Sequence, residues 1–254
     1  MLSRRSFLKA TGAAAAVACP LCRPVFAAEG PHWTYEEADR WGDMSPEFRA
    51  CGFGTEQSPI DLSHPIPAGL GDVAIEWRPG AATIVNNGHT IQVRPAPGSA
   101  VTIAGSSFEM EQFHFHHPAE HTVNGVRRVM EAHFVHANAA GGAAAIGVFL
   151  VAGGDDAAPA GATLAKVFGR MPTDVGEAAT DGPINPTDLL PDVRAYYRYA
   201  GSLTTPPCGE TVLWTIFAEP VEVPEAQIAA FATLYPMNAR PLQKLNRRFL
   251  LGSF

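Results

Sequence analysis

Residues 112–116 read Gln-Phe-His-Phe-His, and residues 131–136 read Glu-Ala-His-Phe-Val-His. Aromatic and imidazole side chains in strict alternation suit a β-strand, where residues two apart share a face. His114 and His116 then point one way, while Phe113 and Phe115 face an apolar layer. A second strand over Val129–His136 follows a turn near Asn124-Gly125. Paired antiparallel with the first, it projects His133 into the same space. Three neutral imidazoles on a rigid sheet form an open zinc site whose fourth position is left for water. A structural zinc would normally take four ligands, often thiolates, and no spare thiol pair exists. Six of the nine histidines fall between residues 114 and 136, so hydrogen-bonded core histidines remain the alternative account of the cluster. Gln112 shares the face of His114, and Glu131 that of His133. Each can accept the second ring N–H of its imidazole and so fix the tautomer. A glutamate turned inward beside Val135 is costly unless it is partnered in this way.

The rest of the 254 residues supports a β-rich chain. Short β-favouring runs recur at Val73–Trp77, Thr83–Val85, Thr90–Arg94, Ala100–Ala104, Glu111–His116, Arg128–His136, Ala144–Val151 and Thr211–Glu219, separated by turn chemistry such as Asn86-Asn87-Gly88. Helical signals are few: Leu164–Arg170, a capped segment at Asn185–Leu190, and Glu225–Leu234 behind Pro224. Ala139–Ala145 and Gly153–Gly161 read as loops. The 24 Gly and 22 Pro are spread along the chain, which excludes a collagen, a coiled coil and a mainly helical bundle. No linker separates two cores. The fold expected is mainly β, one domain with small peripheral helices. A net charge of −7 offers nothing to nucleic acid.

Residues 1–27 read as an export signal that the folded domain, 28–254, does not include. Arg4, Arg5 and Lys9 form a basic start, Ala10–Ala18 are mildly apolar, and Val25-Phe26-Ala27 resembles a cleavage site. The run Ser3-Arg4-Arg5-Ser6-Phe7-Leu8-Lys9 is similar to a twin-arginine signal. It points to a periplasmic protein with no membrane anchor in its mature form; lipidation at Cys19 is the rival reading. Removing the segment takes away four basic residues and no acidic ones, so the mature charge is −11. It also takes away Cys19 and Cys22. In an oxidising compartment the remaining Cys51 and Cys208 pair by default, two separately buried thiols being the alternative.

Gln112–His116, Glu120-His121-Thr122-Val123, Glu131–His136 and Ser202-Leu203-Thr204-Thr205-Pro206-Pro207-Cys208 together resemble the α-class carbonic anhydrases. Gln57-Ser58-Pro59-Ile60-Asp61, Asn86-Asn87-Gly88-His89, Trp214 and Asn238-Ala239-Arg240-Pro241 extend the resemblance along nearly the whole mature chain. It implies a large, mostly antiparallel twisted sheet with one Zn²⁺ at the bottom of a conical cavity. It also implies zinc-hydroxide catalysis of the reversible hydration of CO₂ to bicarbonate and a proton, with inhibition by sulfonamides and small anions. Oligomeric state stays open, a homodimer included.

By the same resemblance, Thr204 accepts the hydrogen bond of the zinc hydroxide and donates its own to Glu120, which orients the nucleophile, and the carbonyl of Asn238 partners His116. Val135, Ala145, Leu203, Thr204, Thr205, Val212 and Trp214 form the substrate pocket, with Ala145 smaller than the valine often found there. His89 is the proton shuttle, a role suited to its ordinary pKa, with Tyr35, Asn87 and Gln92 ordering the path. His32, His64, His117, His121 and His136 are left as structural or surface residues. Two rival readings are a catalytically silent domain of the same fold and a cupin-like metal protein. The silent domain would typically lack a zinc histidine, and all three are present. The cupin reading would make Glu120 a ligand, but the second half of its motif is missing around His133.

Overall fold

A computed structural model describes residues 31–254. The signal expected over residues 1–27, with Cys19 and Cys22, lies outside the described residues. The frame is a 13-stranded sheet. At its centre the strand Ser106–His116 runs antiparallel to Met130–Ala137, which runs antiparallel to Ala143–Ala152. On one side follow Val212–Phe217 and then Tyr196–Gly201; on the other come Ile91–Pro95, Ala82–Asn86 and Gly176–Ala179. Among the described residues, three pairings of this sheet are parallel and the rest antiparallel.

The two central strands sort their side chains as alternation dictates. Phe113, Phe115, Met130, Ala132 and Phe134 enter the main apolar cluster, with Ile146 and Val148 from the next strand. The helices Pro159–Phe168 and Glu225–Leu234 cover that face with Leu164, Val167, Phe168, Ile228 and Phe231. Each fully buried phenylalanine here contributes roughly 1.5–3 kcal/mol. The opposite face carries the imidazoles and a second cluster that includes Ile60, Leu62, Ala145, Tyr199 and Trp214.

One extra residue makes this sorting possible. The register against Met130–Ala137 shifts between Met110 and Gln112, so Glu111 has no partner. Before this bulge the even-numbered Phe108 and Met110 face the main core; after it the odd-numbered Phe113 and Phe115 do. A β-bulge re-aims the side chains that follow it, and here it turns Gln112, His114 and His116 to the other side. It also explains why a simple period-two reading recovers only Glu111–His116 of a strand that begins at Ser106.

Other elements were less legible in the sequence. The strand Tyr196–Gly201 is buried on both faces, with Arg198 inside it donating from Nε to Thr215 Oγ1 at 3.0 Å, so no alternation marks it. The first long helix starts at Pro159, inside a stretch read as loop, because proline suits a first helical turn. Near the N-terminus, Tyr35–Glu37, Trp41–Met44 and Arg49–Phe53 form short helical turns. Their Trp33, Tyr35, Trp41 and Phe48 form a third cluster with Cys51 and Cys208. The two cysteines are bonded across a sequence separation of 157, a closure worth about 5 kcal/mol in the chain-entropy account.

His136 lies on the core face, where its Nε2 accepts the Trp77 indole N–H at 3.0 Å. Burial depresses its pKa from the ordinary imidazole value to about 4. Above pH ~6.5 neither folded nor unfolded protein protonates this ring. Between 6.5 and 4 only the unfolded chain does, so stability is lost as pH falls through that window, by up to about 3 kcal/mol. Chemical denaturation across this range should show His136→Gln, which keeps an acceptor but does not titrate, with a flatter profile than the parent. Parallel profiles would exclude His136 as the source.

Candidate metal centre

The register sets His114 directly opposite His133 and His116 opposite Glu131. The ring centroids of the three histidines lie 4.5–5.4 Å apart, and their ligand atoms lie within 4.8 Å of one another. His116 and His133 are buried, while His114 is partly open to the cavity.

Each ring is committed at one nitrogen. Gln112 Oε1 lies 2.9 Å from His114 Nδ1 and the Asn238 carbonyl 2.7 Å from His116 Nδ1, while Glu131 Oε1 stands 2.9 Å from His133 Nε2, an ion-pair distance without hydrogen-bond alignment. This leaves Nε2, Nε2 and Nδ1 to converge. Burial first, then the neighbouring imidazoles, holds His114 well below the ordinary imidazole pKa, and burial likewise lowers His116. Both rings therefore stay neutral, as a metal requires.

The carboxylate of Glu131 is saturated. Oε2 accepts the backbone N–H groups of Glu120 and His121, each at 2.9 Å, and Oε1 faces His121 Nδ1 at 2.8 Å as well as His133. Burial alone would raise its pKa, but His121 and His133 outweigh that and hold it well below the usual carboxylate value. Gly147, opposite His133 in the next strand, makes room for it. A Cβ there would stand 2.6 Å from Ile216 Cδ1 and 3.0 Å from Glu131 Oε1. His121, Glu131 and His133 also cluster closely enough to suggest a cation. Their atoms are taken up by this hydrogen bonding, so that triad is a knot rather than a site.

At the free end of the histidines the position is reversed. His116 Nε2 is buried without a hydrogen-bond partner, and so is Glu120 Oε2 3.5 Å away. His133 Nδ1 lies 3.8 Å from the same oxygen. Buried polar atoms in this state are rare and call for a missing partner. Three imidazoles with a carboxylate just beyond them are the donor set of a catalytic zinc, and the residues fit that ion.

Beside the rings, Val135, Ala145, Leu203, Thr204, Thr205, Val212 and Trp214 enclose a cavity of about 30 Å³ with His114 and His133. Glu120 Oε1 accepts the Arg240 backbone N–H at 2.7 Å. The expected Thr204–Glu120 hydrogen bond is absent from this structure, because Oε2 accepts none. Gln92 pairs directly with His114 across the sheet. Asn87 Oδ1 accepts the N–H groups of His89 and Thr90, each at 2.9 Å, which shapes the turn carrying His89. The His89 ring stacks on Trp33 with centroids 3.7 Å apart and planes 7° from parallel, and His32 lies 6.3 Å away. Burial, then His32, lowers the His89 pKa. Tyr35 is buried in the N-terminal aromatic cluster, its phenol pushed well above the ordinary value by burial and then by Glu120. Asn238 ties these parts together, its amide donating to the His89 and Phe115 carbonyls at 3.0 Å each.

Sequence reasoning missed His121, Tyr199 and Trp33 as parts of this architecture. Glu131 two residues from His133 was legible by alternation; that it also binds the 120–121 backbone depends on the path of the loop, which no local pattern encodes.

The profile of the eukaryotic-type carbonic anhydrases matches residues 36–254, and that of the twin-arginine translocation signal matches residues 1–19. A carbonic anhydrase of a Nostoc species is 40% identical over 220 residues, covering 84% of this chain and 81% of that protein. One from Pectobacterium carotovorum is 35% identical over 236 residues, covering 91% of this chain and 95% of the relative. Among solved structures, the α-carbonic anhydrase of Thermovibrio ammonificans in complex with the inhibitor sulfanilamide is 42% identical. It superposes with a TM-score of 0.83 over 87% of this chain and 99% of its own.

Removing the Gln112 contact tests the centre directly. Gln112→Ala should weaken zinc binding by about 10-fold or more in a chelator competition, the usual effect of losing an outer partner of a ligand histidine. Unchanged affinity would show that the His114 ring is oriented by packing alone.

Proposed function

The chain belongs to the eukaryotic-type carbonic anhydrase family, and from that premise we propose that it catalyses the zinc-dependent, reversible hydration of CO₂ to bicarbonate and a proton. The observation that carries this reading is the convergence of three imidazoles whose ligand atoms lie within 4.8 Å of one another, with His116 Nε2 and Glu120 Oε2 buried and unpartnered beside them. His114 and His116 through Nε2, and His133 through Nδ1, would hold one Zn²⁺. Once bound, zinc would acidify a coordinated water so that hydroxide is available near neutral pH, a property for which carbonic anhydrase is itself the standard example.

The chain's own residues supply the rest. Gln112, Glu131 and the Asn238 carbonyl fix the ring tautomers and leave the ligands neutral overall, so the ion's charge is not spent on them. Val135, Ala145, Leu203, Val212 and Trp214 offer an apolar seat to CO₂, which is itself apolar, and keep bulk water from it. A Thr204 hydroxyl turned toward Glu120 Oε2 would donate its proton there and offer a lone pair to the nucleophile, aiming it at the substrate. The Thr204 N–H is available to one substrate oxygen, with Thr205 beside it. His89, at the end of a path bordered by Tyr35, Asn87 and Gln92, would take the released proton on a ring nitrogen and pass it to buffer. Its lowered pKa favours that release.

The proposal extends to processing. The twin-arginine profile match shows an export signal; we infer cleavage after Ala27, a domain over 28–254 and residence in the periplasm. Among the described residues no helix is long and apolar enough to cross a membrane. Binding of sulfonamides, which the Thermovibrio protein's complex illustrates for that protein, is expected at the same cavity.

Stopped-flow CO₂ hydration by the 28–254 protein, with metal analysis of the same sample, is the direct test. One zinc per chain with sulfonamide-sensitive hydration is expected; one zinc without hydration would identify a silent domain instead. In weak buffer His89→Ala should reduce kcat by up to about 100-fold with little change in kcat/KM, and imidazole buffer should restore it. Full turnover of the variant in weak buffer would end the shuttle assignment.

A further inference from the structure

The turn that carries His89 is anchored from a helix on the far side of the core. Asn86 ends the strand Ala82–Asn86, and its buried Oδ1 accepts both the Gly88 N–H, at 3.0 Å, and the Tyr235 phenolic O–H. Its Nδ2 donates to the Pro172 carbonyl at 2.8 Å, which decides which end of the amide faces the turn. Tyr235 directly follows the helix Glu225–Leu234, and its N–H closes the last turn on the Phe231 carbonyl at 3.0 Å. Its ring lies against Phe231, centroids 5.7 Å apart, and Phe231 meets Phe115 at 6.0 Å. Phe115 stands between His114 and His116, so the phenol reaches the turn from the layer that backs the ligand strand. Tyr235 is half-buried, and burial raises its pKa above the ordinary phenol value, which keeps the donor proton in place.

The two halves of the turn are held differently. Beyond Gly88, Asn87 Oδ1 takes the His89 and Thr90 N–H groups, Asn238 holds the His89 carbonyl, and Thr90 Oγ1 donates to the Phe115 carbonyl at 2.6 Å. Before it, the Asn87 N–H reaches the Thr90 carbonyl only at 3.3 Å, and the Gly88 N–H depends on the Asn86 side chain. Gly88 sits at φ +86°, and a glycine can change its dihedrals at little steric cost. An Asn86 amide free to rotate would therefore release the softest residue of the turn. Two donors on Oδ1 and one acceptor on Nδ2 deny it that rotation. Among the described residues the His89 ring makes no hydrogen bond, so only its stack on Trp33 and the backbone beneath it set its place. Proton transfer is sensitive to such placement, since a shift of about 1 Å in a reacting group can cost about 100-fold in rate.

We propose that Tyr235 is a positioning residue for proton transfer, holding through Asn86 and Gly88 the backbone from which the His89 ring projects. This rests on the reading of His89 as the proton shuttle. Tyr235 touches no reacting atom and acts only through the turn.

Tyr235→Phe keeps the ring against Phe231 and deletes the donor. Stopped-flow CO₂ hydration by the mature, zinc-loaded variant in weak buffer should show kcat lowered about 3- to 10-fold, with kcat/KM and zinc content at parental values. Imidazole buffer should restore kcat, because an external base bypasses the shuttle. Tyr196→Phe removes a comparable phenol bond, to the Gly71 carbonyl at 2.7 Å, and serves as the control with parental kcat. In the His89→Ala background Tyr235→Phe should cost nothing further, as two changes on one path are not additive. The proposal alone is overturned by parental kcat in Tyr235→Phe, by a loss that imidazole leaves in place, or by a further loss in the His89→Ala background. Should Tyr235→Phe fail to fold, Asn86→Ala is measured in the same way and the same outcomes decide. Full turnover of His89→Ala in weak buffer refutes the shuttle reading itself, and the proposal with it.

Discussion

A carboxylate sealed in an apolar interior is among the least favourable things a fold can contain, and this fold is arranged around one. Glu131 has no exposure to solvent, and the several kcal/mol that its burial would cost alone are offset by four neighbouring groups. The backbone N–H groups of residues 120 and 121 and the His121 ring hydrogen-bond it, and the His133 ring stands at an ion-pair distance of 2.9 Å. Because those groups belong to a loop, a second imidazole and a ligand, satisfying the charge also fixes where each of them sits. Glu120 owes its place to this arrangement, since its own backbone N–H is one of the four. The metal centre is therefore less a set of ligands attached to a scaffold than the outer end of a satisfied carboxylate.

A second organising contact is Asn238. Its carbonyl holds His116, its Oδ1 accepts the His117 N–H at 2.7 Å, and its amide reaches the carbonyls of His89 and Phe115. One side chain thus sets the relation between a ligand ring and the turn that carries the shuttle candidate. Trp33 secures that turn from the other side by lying flat against the His89 ring. Its aromatic cluster is in turn joined by the disulfide to the loop carrying Thr204 and Thr205.

Much of the centre was legible because strand alternation is a local rule. Phe113 and Phe115 against His114 and His116 defined a face before any fold was known, and Glu131 and His133 followed from the same rule. What escaped notice depended on contacts distant in sequence. Tyr199 lies 78 positions from the histidine it bonds, on a strand buried on both sides and so lacking any periodic signature. His121 looked like one more histidine because its partners come from a neighbouring strand and from across the sheet. The Thr204–Glu120 bond shows the converse: the resemblance supplied an interaction that the side chains in this structure do not make.

The unpaired Glu111 has a consequence that concerns length rather than chemistry. A strand with two-fold alternation behaves like a reading frame, and the bulge is the point where the frame changes. Deleting that one exposed residue would leave every downstream side chain with its identity and rotate it to the wrong face. Phe113 and Phe115 would enter the cavity, and Gln112, His114 and His116 would enter the hydrocarbon layer. Tolerance to substitution at position 111 and intolerance to its loss are thus properties of the same residue. A survey of substitutions alone would rank as dispensable a position on which the phase of the whole site depends.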